Sequence, residues 1–330
     1  MKREHATREQ ALDRSVEERF ASDVEYYLTL DPRQLPSQYL YDALGSALFE
    51  AICRLPWYPL TQTEQRLLRA HGREIFQLMH PVTDMLELGS GSGEKLALLL
   101  EACEPRMRPR EIHLVDISPS ALDQATRTLT ALGNLHIVAH QATYEAGLGE
   151  FRTTKRSGRA LALFLGSNIG NFDRPGCDAF LRSVRGSLRP GDGWLLGTDL
   201  VRAERDLLLA YDDPLGITAA FNKNLLVRIN RELDGTFDLD GFAHQAVWNA
   251  DESRVEMHLV SVRPQRVQVP GAGLDLTFAE GESIWTESSY KFTPDGVREL
   301  LQQNGFRVMQ QWVDKADGFA LTLAVATDSH

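Results

Sequence analysis

Between residues 84 and 200 short apolar runs alternate with amphipathic or Gly/Pro-punctuated stretches. The runs are DMLELG, EIHLVDI, LHIVAH, ALALFLGS and GWLLGTDL. They are apolar nearly throughout, the pattern of strands covered on both faces, as in a parallel sheet wound with helices. An α/β, doubly wound domain is predicted. Upstream, Leu48, Phe49, Ile52 and Leu55 recur at helical spacing, and Pro56 and Pro59 end that stretch. Thr61, with Glu64 three residues on, reads as a capping box that opens a helix ending near Met79. Residues 202–230 read as helical, and residues 231–290 as strands and turns: GTFDLDGF, HQAVWNA, SRVEMHLVSV, QRVQV and LDLTF. A last helix runs from Thr293 to near Asn304, with Gly305 as its C-cap, before two closing strands, FRVMQQWV and FALTLAVA. The polar first twenty residues or so read as frayed or as a solvated helix.

The predicted organisation is discontinuous. One α/β domain spans 62–201 and resumes at 292–330; a second, mixed α+β module combines 14–61 with 202–291. Composition fits this picture. The 330 residues are 43% apolar and 25% charged, which excludes a disordered or collagen-like chain. Asp and Glu outnumber Lys and Arg by 46 to 35, a net charge of -11. Such a surface repels phosphate backbones and anionic lipid, so neither nucleic acid nor a membrane is expected as partner. Cys53, Cys103 and Cys177 are far apart and form no C-x-x-C pair, as expected of reduced thiols. The N-terminus has no apolar signal region, and a cytoplasmic protein is expected. The acidic charge and lack of heptads predict a monomer.

The first strand runs into Glu87-Leu88-Gly89-Ser90-Gly91-Ser92-Gly93-Glu94-Lys95. A glycine-rich turn between strand and helix lets a nucleotide-like ligand approach the backbone. A dinucleotide site would want G-x-G-x-x-G; here the spacing is G-x-G-x-G, with an acid two residues before the first glycine. Glu94 in the first helical turn would repel phosphate. The loop resembles motif I of class I S-adenosylmethionine (SAM) methyltransferases. Asp116, ending the second strand, can accept hydrogen bonds from both ribose hydroxyls. By itself it reads equally as an N-cap before SPSAL. The closing order helix, strand, strand also resembles the methyltransferase sheet, whose last strand is inserted antiparallel.

Six ordered blocks carry a more specific resemblance. They are YDALGSALFE from Tyr41, LPWY from Leu55, ELGSGSGEK from Glu87, GSNIGNF from Gly166, YDDP from Tyr211 with TAAFN from Thr218, and TESSYKF from Thr286. Together the chain resembles the histidine-specific SAM-dependent methyltransferases that make hercynine for ergothioneine. The resemblance implies a Rossmann-like class I fold with a second, substrate-binding domain, SAM as methyl donor and L-histidine as substrate. It implies that Asn171 and Tyr211 bind the α-carboxylate, and that Glu287 and Ser289 read the imidazole. Tyr41, Tyr58, Gly166 and Met257 would form pocket wall and floor. Gly89, Lys95 and Asp116 would contact SAM. Where the family has an acid followed by an aromatic at the adenine amine, this chain has Thr143 and Tyr144. Taken singly, such Asn and Tyr residues read as caps or packing, and Met257 as core.

The implied reaction adds up to three methyl groups to the α-amine. It needs in-line positioning of a neutral amine, and no metal. No base is assigned, although Tyr58 is a candidate proton acceptor. Two alternatives are an N-methyltransferase of another aromatic amino acid, as in fungal relatives that act on a tryptophan derivative, and a SAM-binding protein without turnover. A dehydrogenase is disfavoured by the glycine spacing.

Overall fold

The computed structural model describes residues 18–133 and 135–328, so the reading of residues 1–17 lies outside the described residues. Along the chain come α1 (18–28), the short strand β1 (Arg33–Gln34), α2 (Ala43–Ile52) and α3 (Leu60–Met79). Strands and helices then alternate: β2 (Val82–Leu88), α4 (Glu94–Glu101), β3 (Glu111–Asp116), α5 (Pro119–Thr130), β4 (His136–Gln141), α6 (Tyr144–Thr153). The alternation closes with β5 (Arg159–Phe164), α7 (Arg174–Ser187) and β6 (Gly193–Asp199). Helices α8 (Glu204–Tyr211) and α9 (Ile217–Glu232) lead into β7 (Phe242–Asn249), β8 (Arg254–Ser261), β9 (Gln265–Val269), β10 (Leu274–Phe278) and β11 (Ser283–Tyr290). Helix α10 (Pro294–Gln303) and strands β12 (Phe306–Asp314) and β13 (Phe319–Ala326) end the chain.

The chain divides into two compact units. The larger holds Cys53–Ala203, Ala250–Arg254 and the described residues from Ser289 onward. Its seven strands lie in the order β12-β13-β6-β5-β2-β3-β4. The neighbouring pairs from β6 to β4 are parallel, while β13 is antiparallel to both β6 and β12. This is the inserted last strand expected above. After β2 the chain steps outward through β3 and β4, then returns to place β5 on the other side of β2. That reversal opens a crevice at the carboxyl ends of β2 and β5, the usual ligand position in such sheets. Leu148, Phe151, Phe180, Val184, Val297 and Leu301 from α6, α7 and α10 join Leu86, Phe164 and Trp194 of the strands in one buried core.

The smaller unit holds the described residues up to Ile52, with Glu204–Asn249 and Val255–Ser288. It combines α1, α2, α8 and α9 with a sheet of order β1-β11-β8-β7 and the antiparallel hairpin β9–β10. Asp42 ties α2 to α9, accepting from Gly45 N–H and Asn224 Nδ2 (each 2.7 Å) and pairing with Arg231 (2.7 Å).

Three sequence expectations are corrected. Residues 202–230 are two helices, because Asp213 accepts from the backbone N–H of Leu215, Ile217 and Thr218 (3.0, 3.2 and 2.7 Å) and folds a turn between them. GTFDLDGF is no strand: it ends in a 3-10 turn, Leu239–Gly241, capped by Asp238. Thr61 and Glu64 form no capping box. Helix α3 starts one residue before Thr61, with no side-chain cap, and Glu64 is fully buried on its inner face.

Candidate active site

The glycine loop joins β2 to α4 in the larger unit. Gly89, Gly91 and Gly93 all take positive φ (72°, 49° and 74°), which L side chains rarely adopt. A Cβ at Gly91 would meet nothing within 4 Å, so the loop's middle faces open space. Asp116 braces the loop: one carboxylate oxygen accepts from Gly91 N–H (3.1 Å), the other from Ser118 N–H (2.9 Å). The cap of α5 is Ser118, which accepts from Ala121 N–H, so Asp116 is not the N-cap. Burial raises the Asp116 pKa above the usual carboxylate value, against the pull of those backbone donors. The hydroxyl of Tyr144 would lie 3.1 Å from a Cβ at Gly89, and its ring packs edge-on against Phe164 (5.1 Å). Thr143 caps α6, accepting from Ala146 N–H at 3.4 Å.

Across the crevice, the turn after β5 is pinned by a residue that sequence reasoning assigned elsewhere. Both carboxylate oxygens of Glu64 lie 2.9 Å from Gly166 N, and one lies 2.7 Å from Lys95 Nζ. Burial alone would lower the Lys95 pKa; the Glu64 carboxylate outweighs it and holds Lys95 above the usual lysine value. Gly166 has φ 81°, and a Cβ there would come within 3.0 Å of Lys95 Nζ. Glu87, one turn of the loop away, is also buried, and its Oε2 has no hydrogen-bond partner among the described residues. Burial pushes the Glu87 pKa up to about 8, although Lys95 pulls it down. The sequence does carry a signal for Glu64. It interrupts the inner stripe Leu60, Leu67, Leu68, Ile75 of α3, where an unpaired acid would be costly.

The same turn continues into a 3-10 segment, Asn168–Asn171, which leaves Asn171 half-buried at its end. Tyr58 is buried in this unit, 7% exposed. Ser289 is 5% exposed, and its Oγ accepts from Lys291 Nζ at 2.6 Å.

The remaining candidates belong to the smaller unit. Tyr41 packs edge-on against Phe49 and Phe221 (each 5.5 Å). Tyr211 ends α8, and its carbonyl accepts from His244 Nε2 (2.8 Å). Asn222 Nδ2 donates to His244 Nδ1 (2.9 Å), which leaves Nε2 as the protonated nitrogen. Burial lowers the His244 pKa, in keeping with a neutral ring. Met257 is buried in β8, and its carbonyl accepts from Thr286 Oγ1 (2.9 Å). Glu287 is half-buried on β11, its carbonyl accepting from Trp285 Nε1 (2.9 Å). Gly89, Lys95, Asp116, Tyr144 and Gly166 are thus brought together around one loop crevice, with Glu64 and Glu87 added. No helix among the described residues is long and apolar enough to cross a membrane.

Residues 20–326 match the family model described as histidine-specific methyltransferase, SAM-dependent. The chain belongs to that family. Similarity to named relatives runs nearly end to end. The histidine N-alpha-methyltransferase of Mycolicibacterium smegmatis is 42% identical over 312 residues, covering 94% of this chain and 96% of the relative. The Mycobacterium tuberculosis protein of the same name is 42% identical over 304 residues, 92% of this chain and 93% of its own. Ergothioneine biosynthesis protein 1 of Schizosaccharomyces pombe is 29% identical over 84% of this chain, within 37% of its own length. The chain is therefore an N-methyltransferase of the Rossmann-like class I fold, and SAM is its methyl donor. The open glycine loop and the acceptor at the end of β3 fit an adenosine-bearing ligand without a pyrophosphate.

Proposed function

We propose that this enzyme methylates the α-amine of L-histidine, up to three times, to give N-alpha-trimethylhistidine (hercynine) for ergothioneine biosynthesis. Its similarity at 42% identity, over 94% of the chain, to a histidine N-alpha-methyltransferase carries the reading. Asp116 would take the ribose hydroxyls of SAM. Gly89, Lys95, Thr143 and Tyr144 complete its contacts, with Thr143 at the adenine amine in place of the family's acid. SAM supplies the electrophilic methyl group. The chain's own residues do the positioning. Asn171 and Tyr211 are neutral donors suited to an α-carboxylate. Glu287 and Ser289 suit the imidazole, and Tyr41, Tyr58, Gly166 and Met257 wall the substrate.

Each methyl transfer forms one nitrogen–carbon bond as the sulfur–carbon bond breaks. The attacking amine must first be neutral, so one proton leaves before each of the three additions. Holding nitrogen in line with the methyl group, about 3–3.5 Å away, is the main catalytic task. The tyrosine faces of Tyr41 and Tyr58 suit the cationic product. We assign cofactor binding to the larger unit, and expect a monomer acting in the cytoplasm.

Mass spectrometry of L-histidine incubated with the protein and SAM tests the reading, beside a parallel tryptophan reaction. Stepwise gain of up to three methyl groups on histidine alone is expected. Methylated tryptophan, or unmodified histidine despite SAM binding, would refute the substrate assignment and keep the cofactor.

A further inference from the structure

Tyr211, at the end of α8, is held through its backbone by residues of β7, β8 and α9, all within the smaller unit. The carbonyls of a helix's last turn lack partners inside the helix and take them from outside. His244 of β7 supplies one: its Nε2 lies 2.8 Å from Tyr211 O. The His244 side chain is only 2% exposed. Its other ring nitrogen, Nδ1, lies 2.9 Å from Asn222 Nδ2 of α9. The same Nδ2 lies 3.2 Å from His258 O of β8. Asn222 is fully buried. A single run of hydrogen bonds therefore leads from the backbone of β8 to the backbone of Tyr211.

Each bond in this run fixes the next. A backbone carbonyl can only accept, so Asn222 must turn its NH2 group towards His258 O; the reverse orientation would set two acceptors against each other. That NH2 group also faces His244 Nδ1, which must accept and so carries no proton. The one proton of the neutral ring is then on Nε2, the nitrogen that faces the Tyr211 carbonyl. Asp212 and Asp213, just after α8, favour an imidazolium at His244, and Lys223 of α9 opposes it. Burial prevails and keeps the His244 pKa below the ordinary histidine value. A second proton, on Nδ1, would meet the Asn222 donor head on. We infer that His244 is a positioning residue for the methyl-transfer substrate: its Nε2–H tautomer, set from β8 through Asn222, holds the backbone of Tyr211 and so aims the phenol at the substrate carboxylate. This rests on the reading of Tyr211 as a carboxylate reader. His244 acts through Tyr211 and not on the reacting atoms.

Nitrogen-15 NMR of the histidine-labelled protein at neutral pH reads the tautomer, with the His244 signals assigned by their loss in His244→Gln. A pyridine-type Nδ1 and a pyrrole-type Nε2 are expected. A proton on Nδ1, in the other tautomer or in an imidazolium, would overturn the inference. A second arm compares kcat/KM for L-histidine with that for L-histidinamide, in which a neutral amide replaces the carboxylate. Running both substrates on one sample cancels any misfolded fraction from the ratio. Wild type should prefer histidine by on the order of ten- to a hundredfold, and Tyr211→Phe should lose most of that preference. His244→Phe keeps a ring but loses the donor. It should lower the ratio on the order of tenfold, with the Kd for SAM unchanged by calorimetry. His244→Gln, whose amide N–H can serve the Tyr211 carbonyl, should stay close to wild type. If Tyr211→Phe loses the preference while His244→Phe keeps it, His244 does not position Tyr211, and the carboxylate reading stands. The inference also falls if His244→Gln loses as much as His244→Phe, because the donor is then not what matters. If Tyr211→Phe keeps the preference, the reading of Tyr211 fails and takes the inference with it. No turnover of histidine at all would remove it along with the proposed substrate.

Discussion

Glu64 holds two of the candidate site residues of the larger unit, Gly166 and Lys95. Its carboxylate accepts from Gly166 N–H and pairs with Lys95, so one buried charge sets both the turn after β5 and the ammonium beside the glycine loop. Glu64→Gln keeps an acceptor for Gly166 but withdraws the charge opposite Lys95. A partly buried lysine without its carboxylate is held less firmly and is less well stabilised as a cation. We expect the Kd for SAM, measured by calorimetry, to rise on the order of tenfold with the circular dichroism spectrum unchanged. An unaltered Kd would confine Glu64 to a structural role. On the substrate side, Glu287→Ala removes the acceptor proposed for the imidazole N–H. The loss in kcat/KM for histidine should correspond to about 1–3 kcal/mol, with SAM affinity kept. Full kcat/KM would take Glu287 out of the imidazole site.

At the scale of elements, the starts of β5 and β6 are joined by one buried carboxylate. Asp192 accepts from Ala160 N–H and Arg189 N–H (each 2.8 Å) and pairs with Arg156 at 2.8 Å, with both side chains almost wholly buried. Asp192→Ala strands the Arg156 charge, and should lower the unfolding free energy by about 3–5 kcal/mol. Asp192 lies at the opposite end of these strands from the glycine loop, so kcat per folded molecule should hold. A denaturant titration beside a kinetic assay separates the two. The strands themselves were legible because burial on both faces leaves nearly unbroken apolar runs, as in ALALFLGS. The helix start at Thr293 and Gly305 beyond α10 (φ 80°) follow equally local rules, whereas the cap of α5 falls on Ser118 and not on Asp116. What was not legible depended on distant partners. Asp213 breaks the stretch 202–230 by collecting three backbone N–H groups, which its neighbours Asp212 and Pro214 only hint at. Glu64 sat at capping-box spacing, and only the fold shows its partners Lys95 and Gly166, 31 and 102 residues on. The Lys291–Asp199 pair spans 92 positions, a pairing that local pattern cannot supply.

At the scale of the whole molecule, buried groups of opposite sign set how stability depends on pH. His113 and His244 have pKa values lowered, chiefly by burial. Glu87 is pushed up to about 8 by burial. For the two histidines the unfolded chain binds more protons below its own pKa of about 6.5, so their contribution is complete above that pH and is lost as pH falls through their folded values. For Glu87 the folded chain holds the extra proton. Its contribution is complete below the ordinary value of 4.5 and is lost as pH rises through about 8. Each group changes the slope of stability by at most about 1.4 kcal/mol per pH unit. Below pH 6.5 the two histidines oppose Glu87. Between about 6.5 and 8 only Glu87 among these three still titrates, and stability falls. Thermal melts of the protein without SAM should therefore give a Tm that falls between about pH 6.5 and 8. Glu87→Gln keeps the shape of the neutral acid without its proton. It should match wild type near pH 4.5, raise Tm increasingly towards pH 8, and remove the descent between about pH 6.5 and 8. A variant that descends between pH 6.5 and 8 as steeply as wild type would show that Glu87 is not the group that carries the extra proton.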